Sequence, residues 1–550
     1  MKLKLHFCLL FIGILSKGFS QWVQNPAINT PVCVQPHRQE DSRIVSDSKG
    51  GAIIAWADYR VDSVTGDIYV QRMNAAGFPV WTLDGVVVCS DTATQNTEYI
   101  VSSDNSGAII AWEDKRSGDK DIYAQKIDSS GNMLWTANGV AVCLKAANQR
   151  SVRVISDGAG GGIFVWEDSV GGTLDIYAQR ISSAGAIMWT AGGEVICNAA
   201  GTQINPRIVP DGLGGAIIIW QDKRGFVENF IYSQRIDANG VVQWTANGVL
   251  VCNTPGNQTN PKLESDGMNG AYIGWQDKRN GDDYDIYAQR LSANGALQWN
   301  QYGITVCSAI ANQSAIDISV DTNGIIVAWK DERAGIYQIY ANRLRPDGTK
   351  ISTTNGNGIL LGNGINPNCV SDNFSGSVIV WQDSTTSSGT WDVFSQRLDS
   401  TGVKLWMPTG DSIAIATGGQ SGPKNISTSD GGSIYTWTDK RNGNHDIYAH
   451  HHIPNESNIG IKEFFTDAYS ISSFPNPFNT QTTIRINSSE IIKSWELNIY
   501  DISGKKIMTQ QITNSNQTII KRNNLSSGYY FYIATSKTEV LGKGNFIITE

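Results

Sequence analysis

The tripeptide Trp-x-Asp recurs at Trp56, Trp112, Trp166, Trp220, Trp275, Trp329, Trp381 and Trp437, about every 54 residues, and no other feature restricts the fold as much. A fixed period of this length marks a repeat architecture, in which each copy buries its apolar face against the next. The copies share their surroundings. A glycine turn and an apolar run precede the Trp, as in Ser156-Asp157-Gly158-Ala159-Gly160-Gly161 before Ile163-Phe164-Val165-Trp166. An Asp-Ile-Tyr segment follows, as at Asp121-Ile122-Tyr123, then a second glycine turn, a second Trp (Trp81, Trp135, Trp189, Trp244, Trp299, Trp406) and a short run such as Val140-Ala141-Val142-Cys143.

Four strands per copy follow from this pattern. In the second copy they are expected at Glu98 to Ser102, Ala108 to Glu113, Asp121 to Ile127 and Val140 to Cys143, each rich in β-branched or aromatic residues and bounded by turn residues. The run Ala108-Ile109-Ile110-Ala111-Trp112 is apolar without alternation, so both of its faces are expected to be covered. Four antiparallel strands covered on both faces describe a propeller blade. The chain is therefore expected to be all-β, an eight-bladed β-propeller of four-stranded blades over residues 21–453 followed by a small Ig-like β-sandwich. Stacked sandwiches are the rival, but about 54 residues are too few for such a domain to bury its own core. The eighth copy has no fourth strand behind Tyr448 to Ile453, and Pro31-Val32-Cys33-Val34 at the other end of the chain is expected to supply it and remove the open edge.

Met1 to Ser20 has a basic start, an apolar run from Leu5 to Leu15 and a small-x-small ending, which reads as a cleavable export signal too short to span a bilayer. The formal net charge of -8 repels nucleic acid and anionic lipid, so neither is an expected partner, and no later stretch is apolar enough for a transmembrane segment.

Six cysteines (Cys33, Cys89, Cys143, Cys197, Cys252, Cys307) share one repeat position, so neighbouring blades would separate them, and they read as small buried residues that do not pair. The Asp and Arg of Trp-x-Asp-x-Arg, as in Asp114 and Arg116, recur in most copies and read as blade scaffolding, because chemistry needs one site only. No cofactor is expected. The loop Asn280-Gly281-Asp282-Asp283-Tyr284-Asp285 is a minor candidate for Ca²⁺ but lacks the spacing of a dedicated loop. His450 and His452 would share one strand face, and with His37 near the closing strand they form a minor Zn²⁺ or Cu²⁺ candidate. Other departures from the repeat are Ser169-Val170 in the third copy, Ser384-Thr385 with Trp391 in the seventh, and His445 with His451 in the eighth.

The connections at about Lys115 to Lys120 and Leu144 to Arg150 are longer and more variable than the other turns and emerge on one blade face, so a ligand is expected there and at the channel mouth. No nucleophile elbow, zinc-protease motif, phosphate loop or dinucleotide fingerprint occurs, and no catalytic residue is assigned.

After a polar linker (residues 454–466), residues 467–550 read as six short strands: Thr482 to Ile486, Trp495 to Tyr500, Lys506 to Ile512, Gln517 to Ile520, Tyr529 to Thr535 and Asn545 to Ile548. This region resembles the type A C-terminal sorting domain of the type IX secretion system of Bacteroidota. The resemblance rests on Pro475-Asn476-Pro477-Phe478, Leu497-Asn498-Ile499-Tyr500-Asp501 with Gly504-Lys505, Leu525 to Tyr530 including Gly528 and Tyr529, and Gly542-Lys543 before Phe546-Ile547-Ile548, with Phe474 where the family usually has Tyr. It implies recognition by the outer-membrane translocon and release outside the cell or attachment to its surface. The expected function is binding or adhesion to an extracellular glycan or protein; the alternative is a secreted hydrolase of polysaccharide or protein with its site at the channel mouth. The near symmetry of the copies favours a non-enzyme.

Overall fold

In a computed structural model of the chain, the described residues are 22–453, apart from 62, 225–226, 253, 352–355 and 384–389, and 470–549, apart from 489, 502–504, 524 and 537–539. The export signal, the linker, Ser384-Thr385 and Gly504 lie outside them. Two compact units emerge, Met1–Pro454 and Asn455–Glu550.

Among the described residues the first unit holds eight four-stranded antiparallel sheets, here sheets 1 to 8, one per Trp-x-Asp copy. Sheet 2 is typical, with strands Gln95–Ser102, Ala108–Asp114, Asp121–Ile127 and Val140–Cys143. Its first strand begins before the apolar residues that announce it, because Gln95 and Asn96 already pair with Asp114 and Glu113 across a bulge. The second strands are buried along their whole length, as at Ala52–Asp58 and Ala108–Asp114. Their continuous apolar sequence follows from this, since each is covered by a neighbouring sheet on both faces.

The core is divided between the sheets. Ile53 and Ala55 of sheet 1 pack against Ile110 and Trp112 of sheet 2, and corresponding clusters join each later pair. The circuit then closes: Trp22, Cys33, Ile434 and Ile447 of the last sheet pack against Ile54 and Trp56 of the first. All eight Trp-x-Asp tryptophans are fully buried. Main-chain bonds stitch the same joints, for Gln149 N–H donates to Lys120 O at 2.7 Å between sheets 2 and 3, and Gln39 N–H to His445 O at 2.7 Å between sheets 1 and 8.

Sheet 8 takes its fourth strand from Thr30–Cys33, antiparallel to Asp446–His452 with Thr30 opposite Ala449 and Cys33 opposite Ile447. The N-terminal segment also brings a residue that the repeat pattern does not reveal. In sheets 1 to 5 the second Trp donates its indole N–H to a carbonyl of the following sheet, as Trp81 does to Ser129 O at 3.0 Å. Sheet 8 has no Trp after its third strand, and Trp22 makes that contact instead, donating to Ala75 O of sheet 1 at 3.0 Å while only 3% exposed.

The second unit has a three-stranded sheet (Ser470–Phe474, Gln481–Asn487, Gln517–Lys521) and a four-stranded one (Ser494–Tyr500, Lys506–Thr513, Gly528–Thr535, Val540–Ile548). They share one core that includes Ile484, Trp495, Leu497, Tyr532 and Phe546. The strand Ser470–Phe474 is not among the six expected from sequence, since Ser-Ile-Ser-Ser has one apolar residue.

Trp22→Ala is expected to destabilise the first unit by about 3 to 5 kcal/mol, the usual cost of deleting a buried Trp. Thermal or urea denaturation beside Trp81→Ala checks this, and an unchanged midpoint for Trp22→Ala would show that the N-terminal segment does not close the last sheet.

Candidate functional site

Most of the charge that recurs from sheet to sheet is committed to the joints. In sheet 2 the Trp112 indole donates to Asp114 Oδ2 at 2.8 Å, and Asp114 in turn receives the Arg116 guanidinium at 2.5 Å. Arg116 also donates to Asn138 O at 3.0 Å, lies 3.2 Å from Cys89 Sγ of the preceding repeat's last strand, and stacks 4.0 Å from the Tyr123 ring. The same arrangement recurs around Arg60, Arg224, Arg279 and Arg333. The shared cysteine position is thus not simply apolar, because its sulfur faces a guanidinium of the next sheet. All seven described cysteines are buried and free, and burial raises their thiols. In sheet 3, where Ser169-Val170 removes the Arg, Lys145 comes from the preceding connection to lie 3.6 Å from Asp168 and 3.6 Å from the Tyr177 ring. Gly139 has φ +91°, and a Cβ there would sit 2.5 Å from Trp112, so this turn tolerates only glycine.

The middle residue of Trp-x-Asp links sheets as well. Glu113, Glu167, Gln221, Gln276 and Gln382 each accept the backbone N–H of a residue in the next sheet's first strand, at 2.8 to 3.1 Å. Each donor, such as Ser151 (φ 57°) or Asn205 (φ 56°), is a left-handed residue in a bulge that adds one residue to the first strand.

Two residues past this bulge, the first strands converge on one cavity of about 400 Å³, lined by all eight sheets. At the equivalent position they present, in order, Arg43, Tyr99, Arg153, Arg207, Lys262, Asp317, Asn368 and Lys424. This ring is not symmetric. Lys262 Nζ lies 3.0 Å from Asp317, which also accepts from Asn368 at 2.7 Å and from Cys369 N–H at 2.9 Å. Burial alone would raise Asp317, but the Lys262 ammonium and these donors outweigh it and hold the carboxyl below its ordinary value. On the other arc cations stand side by side. Burial, then the Arg153 guanidinium, lowers Arg207 to about 10; burial, then Arg43, lowers Lys424 to about 8. One step further along the strands the lining is largely apolar (Val45, Val370), and Glu264 is its one carboxyl, raised to about 8 by burial and then by the Asp317 charge. The sequence reading pointed to the channel mouth without naming any of these residues. Aligning the copies on the first-strand Gln and reading four places on would have exposed the ring.

The metal candidates separate. His450 and His452 do share a face, with ring centroids 6.2 Å apart, but the closing strand places Cys33 opposite Ile447 and so carries His37 beyond the other end of the strand. His450 occupies the place of Gln71 and bonds Val23 O at 3.1 Å, as Gln71 bonds Thr82 O at 2.7 Å. His451 replaces Arg72 and faces Asp430 at 3.4 Å where Arg72 pairs with Asp47, while His452 faces Asp411 at 3.0 Å and packs edge-on to Trp406. His445 pairs with Glu40 at 3.1 Å. In the calcium candidate, Asp285 is engaged by the Asn280 amide at 2.6 Å. Among the described residues no three His, Cys, Asp or Glu side chains converge as metal ligands.

In the second unit the sorting-type residues meet at the last strand. Asn476 Oδ1 accepts Ile547 N–H at 2.8 Å, Phe478 N–H donates to Ile547 O at 2.9 Å, and the Phe478 ring packs 5.4 Å from Phe546. Pro475 and Pro477 flank Asn476 in this staple, Gly528 and Tyr529 pair with Ile548 and Ile547, and Gly542 and Lys543 lie in the same ladder opposite Ala534 and Ile533.

Residues 472–548 match the family of secretion system C-terminal sorting domains. No curated protein matches the chain. Distant likenesses among solved structures include a protein of unknown function from Dyadobacter fermentans (10% identity, TM-score 0.34, 56% of this chain and 95% of the other). An α-L-arabinanase from Penicillium chrysogenum complexed with arabinobiose gives 10% identity, TM-score 0.32, and 56% and 94% coverage. A puromycin-hydrolysing peptidase from Mycobacterium tuberculosis gives 12% identity, TM-score 0.38, and 76% and 61% coverage. None is near enough to carry an argument about this chain.

Burial, and then the neighbouring His452, lowers His450 to about 4. A histidine depressed in the fold binds fewer protons there than when unfolded, so its stabilising contribution is present above about pH 6.5 and is lost as the pH falls towards 4, an effect of roughly 3 kcal/mol. His450→Gln, which restores the residue of six of the other seven sheets, is expected to keep more of its neutral-pH stability at pH 4.5 than the wild type does. Urea midpoints at pH 7 and 4.5 check this, and an equal acid loss in both proteins would contradict it.

Proposed function

We propose that this chain is an exported binding protein. Residues 21–453 form an eight-bladed β-propeller closed by its own N-terminal strand, a signal peptide (1–20) precedes it, and a linker (454–466) joins it to an Ig-like sorting sandwich (467–550). The sorting domain implies contact with the secretion system and export to the cell surface or the extracellular space. No helix among the described residues is long and apolar enough to cross a membrane. The observation that carries the binding reading is the contrast between repeated and unrepeated charge. The Asp, Arg and Glu that recur are engaged in joints between blades, while the residues that differ from blade to blade converge on one cavity. Variable side chains on a rigid scaffold are the usual makings of a recognition site.

The hydrolase alternative has one observation in its favour. Glu264 is a carboxyl raised to about 8 beside a second, Asp317, that stays ionised, and environments that push two carboxyls apart suit an acid and its partner. Against it, Asp317 already accepts from Lys262, Asn368 and the Cys369 amide, which leaves it little freedom to act as a base.

A glycan array run beside a glycosidase and protease screen separates the two readings. The expected result is retention of a ligand with no turnover, and Glu264→Gln changing binding at most. Turnover that Glu264→Gln abolishes would replace the binding reading with the enzymatic one.

A further inference from the structure

The cavity within the ring opens unevenly. A second cavity of about 280 Å³ shares Lys262 and Lys424 with it and is lined by Asn260, Ala315, Asn366 and Gly422, the left-handed bulge residues of sheets 5 to 8. Sheets 4, 5 and 7 carry Asn at this place, whereas sheets 6 and 8 carry Ala315 and Gly422, and a Cβ on Gly422 would meet nothing within 4 Å. The mouth is thus widened on one side by two missing side chains. Its outline is set by the neighbouring sheets, since Gln221, Gln276 and Gln382 accept the N–H of Asn260, Ala315 and Gly422 at 2.9, 3.1 and 3.0 Å. Within the ring, Tyr99 of sheet 2 and Asp317 of sheet 6 stand four sheets apart whichever way the circuit is followed, with the cavity between them. Tyr99 is 38% exposed and is the one aromatic among the described lining residues. On the far side, Lys262 and Asp317 answer each other's charge at 3.0 Å, and Asn368 donates its amide N–H to the same carboxylate at 2.7 Å. This group keeps hydrogen-bonding capacity, for Lys262 has further N–H donors and the side-chain carbonyl of Asn368 has no partner among the described residues.

We infer that the channel takes an uncharged polysaccharide chain, one sugar ring lying against Tyr99 with its hydroxyls on Lys262, Asp317 and Asn368, and the rest of the chain leaving through the mouth widened at Ala315 and Gly422. This rests on the binding reading above and names the ligand class. A hydroxyl donates and accepts at once, so it completes a network whose charges are already paired without bringing a charge of its own. The C–H face of a sugar ring finds in Tyr99 a flat apolar surface, and the Arg153 guanidinium 5.3 Å from that ring adds a further polar edge. The first cavity has the volume of a small-ligand site, and the second continues it outward on one side only, which fits a chain of sugar units that enters from that side. Because the bulges are tied to neighbouring sheets, the mouth is in place before a ligand arrives.

The test uses the purified protein and five probes, maltoheptaose, cellohexaose, laminarihexaose, mannohexaose and the acidic polygalacturonate, titrated by calorimetry in low and moderate salt. The variants are Tyr99→Ala, which removes the aromatic surface, and Ala315→Asn with Gly422→Asn, which narrows the mouth with a residue that adopts the left-handed conformation readily. Lys49→Gln is an exposed control outside the channel. The expected result is binding of at least one uncharged probe that does not change with salt, weakens at least about tenfold in Tyr99→Ala and in the double variant, and is unchanged in the control. An uncharged probe bound equally by the wild type and by both variants, each of unchanged melting temperature, would overturn this site while the binding reading of the propeller stands. Binding of polygalacturonate alone, with an affinity that falls as salt rises, would overturn the uncharged class, and no binding of any uncharged probe would overturn the inference altogether. Hydrolysis of a bound uncharged probe, lost in Tyr99→Ala, would support the ligand class and replace the binding reading with the enzymatic one.

Discussion

The fold depends on a tryptophan wedged between successive sheets with its one polar atom answered. A buried indole contributes a large apolar area but carries an N–H that costs free energy if left without an acceptor. In sheets 1 to 6 and in sheet 8 that acceptor is the Asp two residues on, at 2.7 to 3.4 Å. The Asp then needs a counter-charge, and Arg supplies it while reaching the Cys of the preceding repeat's last strand and a backbone carbonyl of its own repeat. Packing and polar satisfaction are therefore one requirement here. Sheet 3 illustrates this, for once its Arg is gone a lysine from the neighbouring connection takes the same place above the Tyr ring.

This economy separates scaffold from site. Groups repeated from sheet to sheet are buried at joints, where changing them would loosen the packing without altering the cavity lining. Groups that vary have no such duty. The first strands carry Gln at one end, as in Gln149 and Gln258, whose amides hold the preceding connection through Ala147 O and Thr254 O. Further along they carry whichever residue the cavity requires. The arrangement thus lets the cavity lining change while the joints stay fixed.

Much of the fold was legible in the sequence because the repeat rewrites the same constraint eight times. Trp, Asp, the Ile-Tyr pair and the glycine before the last strand each stand at a position where steric or polar demands leave few alternatives. Trp22 was not legible. It occurs once, outside the period, and its role appears only when the two ends of the first unit meet in one sheet. The channel ring was hidden for a different reason. Alternation along a strand assigns residues to faces by parity, and a bulge between Glu40 and Arg43 shifts that parity, so alternation within one copy does not give the face of Arg43 and only the comparison of copies brings the ring out. The middle residue of Trp-x-Asp lends a side-chain oxygen to the next sheet in five copies, as at Glu113 and Gln276, while Ala57 and Lys330 stand there in two others. Among the eighth sheet's histidines, a minor metal candidate from sequence, His450 and His451 stand where the first sheet has Gln71 and Arg72, and the register reveals the substitution.

All of this presumes that the two ends of the first unit lie in one sheet. Native-state hydrogen exchange at Val32 and Cys33, compared with Val88 and Cys89 at the equivalent place in sheet 1, tests that most directly. The account predicts that both pairs of amides exchange only through the same cooperative opening of the first unit. Fast exchange at Val32 and Cys33 while sheet 1 stays protected would contradict it.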